Sequence, residues 1–494
     1  MRLFLIGNDY KYAAEQILLT MFPSERPEYP AKPDKNETDA AFISLHEGRV
    51  YHTACVKLIH GGKTARAAKR ISKNELTDKL TSDRLFQKII KLAFYEAAVE
   101  ITGKTPAWGA LTGIRPAKIV TKMLERGVDI DAAEKTLCRE YHVSAERAAL
   151  CSDVSSASLS AKRDLSPRDI ALYVGIPFCP TRCAYCSFVS NSVEKSMKLI
   201  EPFLASLYAE TEASASIVRE LGLRIVSVYI GGGTPTTLSA PQLSALMEKL
   251  RCEFDLSAVR EYTVEAGRPD TITEEKLLAI SRGGATRISI NPQTMSDEVL
   301  RAIGRRHTAD DVLRAFALAR KAGGLMINMD LIAGLPSDTS DGFRKTLDTA
   351  MSLEPENITV HTLALKKGTK ITLEGTRLPD EACVSEMLDY SVEKLRGGGF
   401  SPYYLYRQKF MSGGFENVGW SKRGCESLYN ILIMEELCSI LALGGGASTK
   451  LVNAETGRIE RIFNPKYPLE YIENIETVNA KKRYMLDFYR DTGK

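Results

Sequence analysis

Several features are absent from this sequence of 494 residues, and each absence narrows the class of protein. No apolar run approaches the roughly 18 residues of a membrane-spanning helix, so we expect no membrane span. The opening apolar stretch is too short for an export signal and predicts a first strand instead. Basic residues outnumber acidic ones by only four. So mild a net charge does not favour nucleic acid as a partner.

Cysteine, in contrast, is present in a pattern with chemical meaning. Ten cysteines without an export signal indicate a reducing compartment, so we expect a cytoplasmic protein whose thiols bind metal or stay free. Cys179, Cys183 and Cys186 lie in one short segment with the spacing C-x3-C-x2-C. Three thiolates hold three irons of a [4Fe–4S] cluster and leave the fourth iron open to a small molecule.

The chain divides into three predicted blocks at residues 1–165, 166–375 and 376–494. The first block predicts an α+β domain with an early strand, a hairpin and amphipathic helices over Asp83–Ile101 and Asp131–Tyr141. The segment Trp108–Lys118 interrupts the helical pattern. It is either a turn before a helix that begins at Pro116, or a loop that presents Arg115 and Lys118 to an acidic ligand.

In the middle block, strand and helix patterns alternate six times, which predicts a parallel sheet with right-handed crossovers. The predicted strands are Ile170–Ile176, Arg224–Ile230, Glu261–Glu265, Arg287–Ile290, Met326–Ile332 and Asn357–Leu363. The predicted helices are Glu194–Leu221, Ala240–Cys252, Glu274–Ser281, Ala309–Ala322 and Gly342–Ser352. Periodicity does not decide whether the strands close into a barrel, but in either case the site lies at their carboxyl ends.

Residues suited to ligand binding recur at those strand ends. The run Gly231–Thr236 allows a ligand close to backbone amides, and Glu265 is placed to bind a ribose diol. Further polar groups follow the later strands: Gln293, Arg305, Asp330 and His361.

As a set, Tyr173–Phe188, Gly231–Thr236, Glu265, Gln293, Arg305 and Asp330–Pro336 resemble the radical S-adenosylmethionine (SAM) enzymes. More narrowly, the chain resembles their branch of oxygen-independent coproporphyrinogen III oxidases, and its long first block resembles the HemZ-type subgroup. The resemblance implies an α/β fold: a partial (βα)6 TIM-like barrel, an N-terminal α+β domain and a C-terminal α+β capping domain. It also implies an enzyme of haem biosynthesis.

The same resemblance implies two cofactors, a [4Fe–4S] cluster and SAM. It assigns Cys179, Cys183 and Cys186 to the metal and leaves the catalytic residues unknown. The implied SAM contacts are Gly232, Gly233 and Thr234 at the methionine amine, Arg305 at the carboxylate, Glu265 and Gln293 at the ribose, Tyr173, Tyr185 and Ala364 around the adenine, and Asp330 and Ser448 at further positions.

The implied reaction converts propionates of coproporphyrinogen III to vinyl groups, with electrons from a donor such as flavodoxin or ferredoxin. A substrate with four propionates needs cations, for which the candidates are Arg115, Lys118, Arg268, Arg407 and Lys409. The role of the first block stays open. Because the Thr112–Pro116 segment breaks its helical pattern, we expect this block to help form or cover the porphyrinogen pocket.

Two other functions occur among the relatives that the chain resembles. HemW-type haem chaperones share the cluster and SAM motifs but carry a His-Asn-x-x-Tyr-Trp motif, where this chain has Tyr429–Met434. The missing histidine favours a catalyst, although Met434 or Cys438 could replace it as a haem ligand. A radical haem-opening methyltransferase is the third alternative. The chain also departs from the best-studied oxidases, which have a further cysteine where this sequence has Phe188.

Overall fold

The structure is a computed structural model that describes residues 1–34, 37–186, 191–192, 196–364, 378–408, 414–454 and 456–491. Its contacts divide the chain into two units. The first unit contains Met1–Ser152 and Arg407–Glu416, and the second contains Asp153–Tyr406 and Asn417–Lys494. The division of the sequence into three blocks stays a prediction. In the described residues, no helix is long and apolar enough to cross a membrane.

The first unit is a four-stranded sheet with helices packed on one face. Its strands are β1 (Arg2–Ile6), β2 (Ala40–Glu47), β3 (Tyr51–His60) and β4 (Lys63–Ser72), in that spatial order. Its helices are α1 (Lys11–Met21), α2 (Lys79–Thr102), α3 (Ala117–Glu125) and α4 (Ile130–Tyr141), followed by α5 (Ala145–Arg163), which continues into the second unit. Alternation in β3 buries Ala54, Val56 and Leu58, and α2 packs against β3 and β4. The period of two thus gives the sheet one apolar face.

The second unit is built on one open sheet of eleven strands. Six parallel strands stand in chain order at its centre: β5 (Asp169–Ile176), β8 (Arg224–Gly232), β9 (Glu261–Glu265), β10 (Arg287–Ser289), β11 (Met326–Ala333) and β12 (Asn357–Thr362). Between β5 and β8, the short strands β6 (Phe178–Cys179) and β7 (Asn191–Ser192) pair with each other. The expected α/β fold is confirmed: six strands form a parallel sheet that does not close, as a partial barrel requires.

C-terminal strands extend both edges of this sheet. Beside β12 stand β14 (Glu416–Ser421) and then β13 (Ser401–Arg407). Beside β5 stand β15 (Ser439–Gly444), β16 (Ser448–Val452) and β17 (Ile459–Phe463). Since β15 runs parallel to β5, with Ser439 opposite Ile170, the sheet gains a seventh parallel strand from the end of the chain.

Helices connect and cover these strands. They are α6 (Ile200–Leu221), α7 (Ala240–Glu253), α8 (Glu274–Arg282), α9 (Asp297–Ala302), α10 (Ala309–Ala322), α11 (Ser340–Ser352), α12 (Glu381–Gly397), α13 (Leu428–Glu435), α14 (Pro468–Glu473), α15 (Ile475–Lys482) and α16 (Tyr484–Asp491). Of the helix expected over Glu194–Leu221, the structure describes Ile200–Leu221 as a helix, preceded by a 3₁₀ turn over Met197–Leu199, and Glu194 lies outside the described residues. Pro202 lies in the first turn of this helix, where a missing backbone N–H costs no hydrogen bond.

The helix α13 lies across the amino ends of the parallel strands. Glu261, the first residue of β9, accepts hydrogen bonds from Ser427 Oγ (2.9 Å) and Leu428 N (2.6 Å). Asn357, the first residue of β12, donates to Cys425 O at 2.7 Å. The chain then enters β15 beside the start of β5. The C-terminal segment therefore closes the end of the sheet opposite the cysteine loop.

Candidate functional site

The three cysteines lie in one loop at the carboxyl end of β5. All three are partly exposed and lie outside disulfides. Two backbone bonds hold the loop: Ala184 N donates to Ile303 O at 3.0 Å, and Cys186 N donates to Cys183 O at 3.1 Å. In the described residues, no three His, Cys, Asp or Glu side chains form a metal-ligand set.

The glycine run after β8 presses directly against this loop. Gly233 N donates to Ile176 O at 2.8 Å, and Thr234 N donates to Phe178 O at 2.7 Å. A Cβ at Gly233 would stand 2.5 Å from Phe178 O and 3.0 Å from Cys179 Sγ. Gly232 has a φ of +103°, which side chains rarely adopt. Glycine is therefore required here, because the backbone of this run lies directly against the loop that carries the thiols.

Glu265 is the last residue of β9, and its carboxylate lies next to the glycine run. A Cβ at Gly231 would lie 2.8 Å from Glu265 Oε2, so that glycine is also needed. Burial, together with the nearby Asp330 charge, raises the pKa of Glu265 to about 8 despite hydrogen bonds from Tyr229 and Gly232. At neutral pH the group is therefore protonated and can both donate and accept hydrogen bonds.

Asp330 lies two strands away on β11, and its pKa moves in the opposite direction. Burial alone would raise it, but hydrogen bonds from His361, Asn328 and Thr359 bring the pKa of Asp330 below its usual value. Asn328 Nδ2 donates to Asp330 Oδ1 at 2.8 Å. One carboxyl of this site is thus neutral and the other charged at pH 7.

Gln293 is held in an unusual backbone conformation next to Asp330. Its φ is +68°, a region that non-glycine residues enter mainly where the surroundings enforce it. Gln293 N donates to Asp330 O at 2.9 Å, and Ile332 N donates to Gln293 O at 3.0 Å. These bonds fix the buried Gln293 beside β11.

Arg305 is buried within the site, whereas its neighbour Arg306 is exposed. Arg305 Nη1 donates to Asn291 O at 2.9 Å, and Nη2 donates to Tyr185 OH at 3.2 Å. Among the described residues, the buried Nε of Arg305 has no hydrogen-bond partner. A buried guanidinium with a spare donor fits an anionic ligand such as a carboxylate.

The remaining predicted SAM contacts have different surroundings. Tyr173 on β5 stacks with Tyr229 and Tyr429, with ring centroids 6.2 Å apart in each case. Ala364 follows the end of β12. Ser448 begins β16, two strands from β5 in the sheet. The roles assigned to these residues stay predictions.

The position that matches the chaperone's histidine is buried. Tyr429, in α13, is 4% exposed and stacks on Tyr229 with centroids 4.5 Å apart. Cys438 is also buried, and burial raises the pKa of its thiol to about 12.

The candidate propionate ligands differ in what they contact. Arg268 is 3% exposed and binds Asp270 and the cysteine loop. Arg407 is 5% exposed, stacks over Trp108, and donates from Nε to Gly414 O at 2.7 Å. These internal contacts do not suit either arginine to bind a propionate. Arg115 and Lys118 are partly exposed, and Lys409 and Phe188 lie outside the described residues.

The interrupted segment of the first unit lines an open pocket. Thr112 and Ile114 line it together with Gln16, Thr20 and Arg407. Thr112 Oγ1 donates to Gln16 Oε1 at 3.1 Å. The helix after the break begins at Ala117, with Pro116 at its N-cap. The segment thus starts a helix and also borders this pocket.

Two features of the site were missed by sequence reasoning. One is the chain of contacts from His307 through Asp270 to Arg268 and the cysteine loop. The other is α13, which supplies Tyr429 to the tyrosine stack. Both join residues far apart in the sequence, and no local pattern marks them.

The described residues fit a cluster with SAM on several counts. The donor set is three cysteine thiols outside disulfides, a side chain at Gly233 would clash with Phe178 O, and the buried Nε of Arg305 has no hydrogen-bond partner among the described residues. Cysteine thiolates are soft ligands and are the usual protein ligands of iron–sulfur clusters, so the three cysteines suit such a cluster.

Comparisons with known proteins agree with this geometry. The sequence profile of the Radical SAM superfamily matches residues 173–350. Over 399 residues the chain is 40% identical to the "oxygen-independent coproporphyrinogen-III oxidase-like protein HemZ" of Bacillus subtilis, which covers 80% of each chain. It is 28% identical over 306 residues to the "heme chaperone HemW" of Haemophilus influenzae, which covers 61% of this chain and 76% of that one.

A solved structure shares the fold. The Escherichia coli coproporphyrinogen III oxidase HemN, described as a radical SAM enzyme, superposes with a TM-score of 0.52. The match covers 66% of this chain and 73% of that one at 22% identity. At this identity the likeness concerns the fold alone.

Proposed function

The chain belongs to the HemZ family of oxygen-independent coproporphyrinogen-III oxidase-like proteins within the radical SAM superfamily, and from this membership we propose that it oxidatively decarboxylates propionates of coproporphyrinogen III. The product would be protoporphyrinogen IX, made without oxygen in the cytoplasm. The cofactors of this superfamily are a [4Fe–4S] cluster and SAM.

In this proposal, Cys179, Cys183 and Cys186 bind three irons of the cluster. When bound, the reduced cluster and SAM supply a 5′-deoxyadenosyl radical as hydrogen-atom acceptor. The propionate would lose one hydrogen atom to this radical, then carbon dioxide, and then one electron to a one-electron acceptor, which leaves a vinyl group. The electron that reduces the cluster would come from a donor such as flavodoxin or ferredoxin.

The chain's own residues would orient SAM. Its amine would lie beside the thiols, next to Gly232, Gly233 and Thr234. Arg305 would bind its carboxylate, since the buried Nε still has a donor to offer. Orienting the bound molecule in this way reduces the entropy that the reaction must overcome.

The other predicted contacts would surround the nucleoside. The neutral carboxyl of Glu265 would exchange hydrogen bonds with the ribose diol, supported by Gln293. Tyr173, Tyr185 and Ala364 would line the adenine side, with Asp330 and Ser448 at further positions. The raised pKa of Glu265 supports this arrangement because a neutral group is not repelled by Asp330.

The burial of Tyr429 carries the choice of catalyst over haem carrier. In the place of the chaperone's histidine stands a phenol that is 4% exposed and stacked between two other tyrosines. Cys438 belongs to the same buried cluster as Tyr429, and Met434, which is partly buried, packs against a second cluster around Tyr403 and Tyr404. A HemW-like chaperone remains the second candidate, because HemW proteins also match the chain.

Anaerobic turnover tests the proposal. Reduced protein is incubated with SAM and coproporphyrinogen III, and protoporphyrinogen and 5′-deoxyadenosine are measured. We expect both products from the parent protein and neither from Cys183→Ser, with Cys252→Ser as an exposed control thiol. Stoichiometric haem binding without decarboxylation would instead support the carrier.

A further inference from the structure

Arg268 links the loop after β9 to the cysteine loop. Its side chain is buried, and the residue is 3% exposed. One edge of the guanidinium binds Asp270, with Nε 3.1 Å from Oδ1 and Nη2 3.2 Å from Oδ2. A bidentate pair of this kind fixes the plane of the arginine.

The other donors of Arg268 face the cysteine loop. Nη2 donates to Thr181 Oγ1 at 3.0 Å, and Nη1 donates to Thr181 O at 3.3 Å. Nη1 also stands 3.8 Å from Cys183 Sγ, within hydrogen-bonding distance for sulfur. A buried positive charge is therefore aimed at one particular thiol of the three.

His307 lies beside Asp270 without a hydrogen bond to it. Its Nδ1 stands 3.7 Å from Asp270 Oδ1, the residue is 3% exposed, and among the described residues neither ring nitrogen has a hydrogen-bond partner. Asp270 belongs to the loop after β9, and His307 belongs to the loop between α9 and α10. The bidentate pair with Asp270 is therefore what orients the guanidinium of Arg268.

Such an arrangement has a defined effect on a thiolate-bound cluster. Reduction adds a negative charge to a centre that is already anionic. A cation or a hydrogen bond at a ligand sulfur stabilises the reduced form more than the oxidised form. In a buried site this effect is large because little water screens it.

We propose that Arg268 is a positioning residue that donates to the thiolate of Cys183 and thereby raises the reduction potential of the cluster. Asp270 sets its orientation through the bidentate pair. The inference rests on the proposed ligation by the three cysteines and on no part of the tetrapyrrole chemistry.

The test is an anaerobic redox titration of reconstituted protein, followed by the electron paramagnetic resonance of the reduced cluster. At a fixed potential we expect Arg268→Gln to hold at least tenfold less reduced relative to oxidised cluster than the parent, which corresponds to about 59 mV for one electron. Arg268→Lys keeps the positive charge but loses the paired donors of the guanidinium. Its reduction potential should therefore shift in the same direction as that of Arg268→Gln, but by less.

Arg287→Lys is the matched control. Arg287 is equally buried, at 4% exposed, and its Nη2 donates to Cys425 O at 3.0 Å, but it lies at the amino end of β10. A merely structural role predicts lower thermal stability for both arginines and an unchanged potential for both. Our proposal predicts a shifted potential at Arg268 alone.

The outcomes distinguish failure of the proposed cluster ligation from failure of the proposed role of Arg268. If the parent binds no cluster, the ligation by the three cysteines fails, and the role of Arg268 with it. Parental potentials in iron-loaded Arg268→Gln or Arg268→Lys would overturn the tuning role while leaving the proposed function intact. Loss of iron from both Arg268 variants, but not from Arg287→Lys, would also overturn the tuning role, because Arg268 would then be needed for binding the cluster.

Discussion

At the scale of single residues, the site shifts the pKa values of two carboxyl groups in opposite directions. Glu265 has a pKa raised to about 8, mainly by burial, and the pKa of Asp330 lies below its ordinary value because hydrogen bonds outweigh its burial. Environments that separate two such pKa values commonly mark functional sites. Here the separation leaves one hydrogen-bond donor and one anion.

Glu265→Gln should make stability less dependent on pH. The folded chain keeps the Glu265 proton up to about pH 8, whereas the unfolded chain loses it near pH 4.5. Stability of the parent therefore falls as pH rises through this window. The variant should gain on the order of 1–3 kcal/mol relative to the parent between pH 5 and pH 8. Urea unfolding at several pH values measures the difference.

Asp330→Asn is the companion variant. The Asp330 charge helps to raise the pKa of Glu265. Without that charge, the stability of the variant should fall less than that of the parent between pH 5 and pH 8. If Glu265→Gln shows the same pH dependence as the parent, the carboxyl of Glu265 is ionised at neutral pH.

Replacing any cluster cysteine should remove iron. We expect about four irons per chain in the reconstituted parent and close to none in Cys179→Ser, Cys183→Ser or Cys186→Ser. Cys252→Ser, at an exposed thiol on α7, should load like the parent. Iron and sulfide analysis gives the answer, and a protein that retains only zinc would refute the cluster.

At the scale of elements, α13 is the feature that gives this chain its particular interior. Its first turn is held by Glu261, and its Tyr429 enters a stack with Tyr173 and Tyr229. The same stack reaches β5 and β8, the strands that precede the cysteine loop and the glycine run. The helix therefore supports the site from the opposite end of the sheet.

Tyr429→His should cost stability without creating a haem carrier. An imidazole fills the place of a buried phenol poorly, and we expect a loss of about 2–4 kcal/mol in the free energy of unfolding. Tyr429→Phe keeps the ring and should lose less. Haem titration followed by absorbance should show no stoichiometric binding to either variant. Tight binding to Tyr429→His would show that this position reaches a haem.

At the scale of the whole molecule, the chain offers one tryptophan in each unit. Trp108 belongs to the first unit and Trp420 to the second, and the sequence has no other tryptophan. Trp108 Nε1 donates to Glu416 Oε2 at 2.6 Å, and Arg147 Nε pairs with Glu416 Oε1 at 2.8 Å. Glu416 comes from a late segment that completes the first unit.

Glu416→Gln should therefore unfold the first unit early. It removes the negative charge that pairs with the buried Arg147, and breaking a buried pair of this kind costs about 3–5 kcal/mol in comparable cases. In a Trp420→Phe background, the fluorescence of Trp108 should report this loss. The Trp420 signal in a Trp108→Phe background should move less.

Lys482→Met is the matched change in the second unit. Lys482 and Glu210 are both fully buried and stand 3.2 Å apart, and Glu210 also accepts from Gly444 N at 2.7 Å. Here the Trp420 transition should shift most. Equal shifts of both signals in both variants would mean that the two units unfold as one.

Sequence patterns predicted much of this molecule for local reasons. The central strands follow from short apolar runs that alternate with helical periods, and the observed bounds of β5, β9 and β12 lie within one residue of those expected. The strand β4 was missed, since Lys63–Ser72 has many basic residues and little apolar alternation.

The sequence by itself determined the chemistry of the protein: three thiols at cluster spacing, glycines at a strand end, and polar groups after successive strands. These are local facts, since spacing along a chain and strand order decide them. Only the tertiary structure decided which side chains are buried together. It separated Arg305 from Arg306, turned Arg268 from a substrate candidate into a partner of Cys183, and enclosed Tyr429. Burial and charge pairing depend on residues distant in the chain, and no pattern within a short segment contains them.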